Sequence, residues 1–423
     1  MGRTLAAAAA LAAALPLISA QQIGTPESRP PLDTWKCTHA KGCVKQNTSI
    51  VIDAGTHWIH EIDGETSCTT SDGQLDPDLC PDKETCAANC VIDGITDYAS
   101  HGVETDGGRL TLTQYVEEDG TLTSVSPRVY LVAENEDYEA LQLLNQELTF
   151  DVDVSNLPCG MNGALYLSEM LADGGRSDLN PAGSAYGTGY CDAQCYVSAW
   201  VNGEANVDSN GLCCNEMDIW EANSRAAGFT PHPCTYEGGG LYECTSDEEC
   251  DPSGENTGVC DKWGCGFNPY ALGAHDYYGL DLVVDTTKPF TVVTQFLTTD
   301  NTTTGALREI RRLYVQDGQV IQNAVVQGGA NSITDELCAT TSNWFDGFGG
   351  LEGMGTAVGN GMVLAMSIWN DAAGNMQWLD GGDAGPCNAT EGAPSYIEEH
   401  TPDTAVTFSN IRWGDIGATF KSL

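Results

Sequence analysis

Glu216, Asp218 and Glu221 fall within one run, Cys213-Cys214-Asn215-Glu216-Met217-Asp218-Ile219-Trp220-Glu221-Ala222-Asn223-Ser224, interleaved with apolar residues and preceded by paired cysteines. Acids this close together suit proton transfer and attack on an acetal carbon. With one carboxyl protonated, its neighbour ionised and about 5 Å between them, such a pair cleaves a glycosidic bond with retention; an inverting pair stands farther apart. Crowding three acids raises at least one pKa by mutual repulsion, which supplies the protonated member.

The backbone decides whether these acids meet. On a helix, residues two and five apart diverge. On a strand, Glu216 and Asp218 share one face while Met217 and Ile219 fill the other, and parity then sends Glu221 to the wrong side. A single bulge around Trp220 restores it, with Asp218 left between the two glutamates as a tuner of their pKa values. A solvated acidic strand end is the alternative; the apolar interleaving and the cysteines favour a fixed, half-buried strand.

Strand patterns recur along the chain. Ser49–Asp53 and Trp58–Ile62 read as strands joined by Ala54-Gly55-Thr56-His57, and Pro81–Cys86 as a short helix inside a cysteine-bounded loop from Cys68 to Cys90. Leu110–Thr113, Arg128–Val132, Leu148–Val154, Leu282–Val284 and Phe290–Phe296 are further strands, followed by a hairpin from Ile310 to Ile321 turned at Asp317-Gly318. Gly361–Trp369 and Ala405–Ile411 complete the set. Forty-eight glycines and few helical patterns point to an all-β sandwich or barrel. No serine/threonine/proline linker or internal repeat divides the chain, so residues 21–423 are expected to form one domain without a separate carbohydrate-binding module.

Met1–Ala20 has Arg3, an alanine and leucine core and a small-residue end, the pattern of a secretory signal peptide and too short for a membrane span. Eighteen cysteines in an exported chain allow nine disulfides, and the absence of paired C-x-x-C motifs argues against zinc. An acidic loop such as Cys68–Cys90 can attract calcium, but no EF-hand spacing is present, so no metal and no cofactor is assigned. Asn47, Asn301 and Asn388 fit the glycosylation pattern. Sixty acids against seventeen bases give a formal charge of -43, which repels nucleic acid and anionic membranes and leaves a neutral partner as the best fit.

The run Asn215–Ser224 followed by Thr230-Pro231-His232-Pro233-Cys234 resembles the catalytic signature of the family 7 glycoside hydrolases, the fungal endoglucanases and cellobiohydrolases. The likeness extends through Lys36-Cys37-Thr38, Leu157-Pro158-Cys159-Gly160, Asn162–Tyr166, Tyr190–Cys195, Ser367–Asp371 and Phe408–Gly417, in order along the chain. It implies a curved antiparallel β-sandwich, a jelly roll of the concanavalin A-like kind, whose concave sheet carries a long groove. It implies Glu216 as nucleophile, Glu221 as acid/base and Asp218 as the tuning residue. Trp369 and Trp378 are then stacking platforms either side of the cleavage point, with Trp58 nearer the far end. Tyr166, Tyr190, Asp192, Gln194, Asn162 and Arg128 are expected to line the donor side, and His232 to stand near the leaving sugar. Trp220 and Trp413 are left to the core.

Within that family, the short segments Asn206–Cys213 and Asp380–Pro394 favour the open cleft of an endoglucanase. Ala271 replaces an arginine, and Thr56 an aromatic, that a cellobiohydrolase tunnel would carry. The long, cysteine-rich segment Cys234–Cys265 pulls the other way, since it could roof part of the acceptor side and confer partial processivity. The expected activity is therefore secreted, monomeric endo-1,4-β-glucanase action on cellulose, mixed-linkage glucan, and possible relatives such as glucomannan or xylan. Cellobiohydrolase-like processive action is the first alternative and a lectin-like binding protein the second, because a jelly roll serves both roles.

Overall fold

The computed structural model describes residues 22–420; the expected signal peptide, Met1–Ala20, lies outside them. Two sheets face each other across one apolar core. The front sheet contains six principal strands: β1 (Ser49–Ile52), β2 (Arg128–Val132), β3 (Met161–Ser168), β4 (Glu216–Ala222), β5 (Ala227–His232) and β6 (Met362–Asn370). Their spatial order is β5-β4-β3-β6-β2-β1, every ladder between them antiparallel. The back sheet runs from the hairpin strands Gln319–Gln322 and Leu307–Gln316 through Phe290–Thr298, Gln146–Asp153 and Ala405–Asp415 to Thr34–Thr38 and Gly42–Gln46. One of its ladders, Thr34–Thr38 on Ala405–Asp415, is parallel.

β3 and β4 are buried along nearly their whole length, with the core on one face and the site on the other, so they do not alternate; β5, where Gly228 and Thr230 are half-buried, still does. All eight residues of β3 are buried, and Gly163 within it lets Leu157 and Val406 approach where a Cβ would meet them at 2.7 and 3.0 Å. Trp220, fully buried, sits at the centre of the core with edge-on contacts to Phe150, Tyr278, Phe290 and Tyr314. Trp413 is buried as well, as expected.

The hairpin turns at Asp317-Gly318 as the sequence predicts, both residues left-handed in a two-residue loop. Leu282–Val284 is not a strand: Leu282 and Val283 lie in a turn, and only Val284–Asp285 pairs, with Tyr278–Gly279. Helix is a minor component among the described residues, as expected, but one helix matters to packing. Gly350–Asn360 is an 11-residue helix packed on the back sheet, where Gly355 comes so close to Leu307 that a Cβ would sit 2.7 Å from it.

The expected nine disulfides are present: 37–43, 68–90, 80–86, 159–387, 191–214, 195–213, 234–260, 244–250 and 265–338. Cys159–Cys387 closes the longest loop, joining residues 228 apart in sequence. The groupings close enough to share an ion among the described residues all contain cysteines already committed to these bonds.

Candidate active site

The ladders on both flanks of β4 slip at the same place. Against β3, Met217 faces Leu167 and Trp220 faces Leu165, so Asp218 and Ile219 together oppose Tyr166. Against β5, Asp218 faces Thr230 and Glu221 faces Gly228, which leaves Ile219 and Trp220 opposite Phe229. The consecutive residues Ile219 and Trp220 both bury in the core, and Glu221 returns to the face of Glu216 and Asp218. This is the bulge that the parity argument requires.

A buried arginine holds the bulge from behind. Arg312, on the back-sheet strand Leu307–Gln316, reaches through the core and donates from Nη2 to the carbonyl of Ile219. Its Nε donates to Thr294 Oγ1 at 3.2 Å, and its guanidinium lies 4.3 Å from the centre of the Phe229 ring. No carboxylate pairs with it among the described residues. Sequence reasoning gave no hint of it, because its partner is a backbone carbonyl on a distant strand.

The three acids open into a cleft of about 930 Å³ that crosses the front sheet strand by strand. Asp53 and Thr56 lie at the β1 end. At the other end the sheet is prolonged beyond β5 by residues 265–267, which exchange backbone hydrogen bonds with Phe229 and Pro231, and there Ala271, Lys262 and Trp263 line the cleft. Gly228, directly across from Glu221, keeps the floor clear of a side chain at that point.

Glu216 Oε2 accepts from the Ala193 N–H at 3.1 Å. Ala193 is placed by Cys191–Cys214 and Cys195–Cys213, which tie its segment to the start of β4. Asp218 Oδ2 lies 2.9 Å from His232 Nε2. His232 Nδ1 lies 2.8 Å from the Asp261 carbonyl, which can only accept, so Nδ1 carries a proton and Nε2 is aimed at Asp218. Glu221 Oε1 accepts from Asn162 Nδ2 at 2.9 Å, while Asn162 Oδ1 accepts from the Ala222 N–H at 3.1 Å.

Burial dominates the electrostatics. It raises Glu216 well above the usual carboxylate range, with Asp218 and Asp192 adding to the rise. Asp218 is pushed up to about 8 by burial and then by Asp192. Glu221 is pushed up to about 8 by burial and then by Asp218, with the Asn162 hydrogen bond opposing the rise. Asp218 and Glu221, both raised to about 8, favour their protonated forms at neutral pH, and each proton held lowers the charge its neighbours must face.

The predicted lining residues divide. Tyr166, Tyr190, Asp192, Gln194, Arg128 and His232 line the cleft. The Tyr166 and Tyr190 hydroxyls are 3.0 Å apart, and Arg128 lies 3.4 Å over the Tyr190 ring while pairing with Asp53 at 3.0 Å. Trp369 and Trp378 also line it, stacked at 6.1 Å between centroids. Two residues are placed elsewhere. Asn162 is fully buried behind Glu221 rather than in the groove, because both ends of its amide are consumed by β4. Trp58 is outside the lining, half exposed and stacked on His60 at 3.9 Å. Asp53, Thr230, Asn268 and Trp263 belong to the lining and were missed. Asn47, Asn301 and Asn388 are exposed.

Comparison with known proteins fits this geometry. The model of the family described as Glycosyl hydrolase family 7 matches residues 22–420. An endo-beta-1,4-glucanase, celB, of Emericella nidulans is 69% identical over 417 residues, 96% of this chain and 97% of that one. The native structure of the Humicola insolens endocellulase EGI superposes with a TM-score of 0.88 at 48% identity, covering 94% of this chain and 100% of that one. An endoglucanase I complexed with cellobiose superposes with a TM-score of 0.88 at 46% identity, covering 95% and 100%.

Proposed function

The chain belongs to glycosyl hydrolase family 7, and from that premise we propose that it is an endo-1,4-β-glucanase cleaving internal bonds of cellulose and related β-glucans by double displacement. The observation that carries the reading is the bulge at Ile219–Trp220, which gathers Glu216, Asp218 and Glu221 on one wall of a cleft.

Glu216 attacks the anomeric carbon as the nucleophile; burial, Asp218 and Asp192 raise its pKa, and His232 and the Ala193 N–H oppose that rise, so it ionises when its neighbours hold the protons. Glu221, raised to about 8, is protonated at working pH and gives its proton to the glycosidic oxygen as the bond breaks. The leaving chain departs and a glycosyl-enzyme ester remains. The deprotonated Glu221 then takes a proton from water, whose oxygen displaces Glu216 and releases the sugar with retained configuration. Asp218, bonded to His232, shares the charge of the site and, after burial, adds most to the rise in the Glu216 pKa. The two carboxyls and a water account for every proton, so the mechanism calls on no cofactor.

Small side chains at the two ends of the cleft, Thr56 and Ala271, support endo action. Lys262 and Trp263 from the Cys234–Cys265 segment line the acceptor end, and Gln194 Nε2 donates to the Lys262 carbonyl at 2.9 Å, which favours some retention of the chain. Viscosity loss compared with reducing ends released on carboxymethylcellulose tests this; little thinning per bond cut marks exo action. One chain holds all the groups named here, which supports a monomer, and the disulfides and the Met1–Ala20 pattern support secretion. Replacing Glu216 by Gln should abolish hydrolysis of a soluble β-glucan while cello-oligosaccharide binding survives. Substantial residual hydrolysis by that variant overturns the assignment.

A further inference from the structure

Trp263, at the rim of the cleft, and its neighbour Trp344 take no part in the bond-breaking steps. Trp263 is 58% exposed and Trp344 38% exposed, with ring centroids 6.2 Å apart and planes at 85°. An indole is the largest apolar surface a residue can bury, so two left open side by side are more informative than scattered exposed valines.

Neither ring stands on a loose support. Trp263 Nε1 donates to the Gly254 carbonyl at 3.1 Å, which fixes the indole's orientation. The flanking cysteines Cys260 and Cys265 are bonded to Cys234 and Cys338. Cys338 lies in the helix Asp335–Thr341, and Trp344 follows shortly after that helix ends. One disulfide therefore couples the segments that carry both rings.

Trp263 is also part of the cleft lining at its acceptor end, where the sheet continues beyond β5. The polar groups around it are already engaged: the Lys262 ammonium donates to the Asp251 carbonyl at 2.8 Å, and the Gln194 amide to the Lys262 carbonyl. A fixed aromatic plate, continuous with a sugar-binding cleft and with its charged neighbour occupied, suits a neutral ligand with an apolar face. We propose that Trp263, braced edge-on by Trp344, is an outlying acceptor-side subsite that stacks a glucosyl unit of a β-1,4-glucan beyond those at the scissile bond. This rests on the hydrolase reading and adds a length preference to it.

The test is a length series. The parent, Trp263→Ala, Trp263→Phe and Trp344→Ala are assayed on cellotriose to cellohexaose and on a chromogenic cellobioside. The expected result is that kcat/KM on cellohexaose, divided by that on the cellobioside, falls about tenfold in Trp263→Ala. Trp263→Phe recovers most of the ratio, and Trp344→Ala lowers it by a smaller factor. A ratio unchanged in Trp263→Ala, or a loss equal on short and long substrates, overturns the proposal. If a second copy of the chain covers the pair instead, Trp263→Ala changes the sedimentation coefficient and leaves the ratio intact, which also overturns it. A parent that cleaves none of these substrates brings down the hydrolase reading itself, a result distinct from all of those.

Discussion

Glu221 holds its proton because β4 carries it into a half-closed place beside Asp218, and a single amide pulls against that. Asn162 bonds the carboxylate and favours its ionised form. Asn162→Ala should therefore raise the Glu221 pKa further, and the basic limb of kcat/KM against pH should move to higher pH as the maximal rate drops. The same carboxyl bears on stability. Its folded pKa of about 8 lies above the unfolded value of about 4.3, so the folded chain binds more protons in that window and stability falls as pH rises through it. Glu221→Gln should be more stable than the parent near pH 8 by about 1–2 kcal/mol given partial solvent access, and therefore melt higher there, but no higher near pH 4. Thermal melts at both pH values check this. These acids were legible in the sequence because alternation with Met217 and Ile219 fixes a strand face. Asn162 was placed in the groove because resemblance carries the residue but not the direction of its side chain. Trp263 was missed because a cysteine-rich loop has no period to read.

At the level of elements, the bulge is the device, and it is clamped from the opposite sheet. Arg312 donates to the carbonyl of Ile219, the residue that breaks parity between Asp218 and Glu221. Arg312→Met should lower kcat by about 10- to 100-fold, the cost of displacing reacting groups by about an ångström, while calorimetry finds cellotetraose binding little changed. Arg312→Lys, which keeps charge without the planar fork, should restore only part of the rate. Equal rates in all three proteins would leave the bulge self-supporting. The need for a bulge was legible from spacing; its clamp was not, since nothing in Leu307–Gln316 points to Ile219. β3 carries a family motif but no strand pattern in the sequence, because both its faces are buried and the period of two disappears. The helix Gly350–Asn360 was missed because its four interior and terminal glycines, which serve close packing, depress helical propensity.

For the molecule as a whole, sixty acids against seventeen bases make the surface repel itself. The melting temperature at neutral pH should rise between about 10 mM and about 1 M salt, as the screening length contracts from about 30 Å to about 3 Å. A flat response would show that the acids are too dispersed to strain the fold. A different consequence follows from the bond between Cys159 and Cys387, which closes a loop of 228 residues holding most of the cleft, from Ala164 to Ala384. A protease that nicks any exposed tip within that span leaves two fragments still joined end to end by sulfur. Such a clipped molecule would run as one band without reductant and as two with it, and in between it would keep digesting.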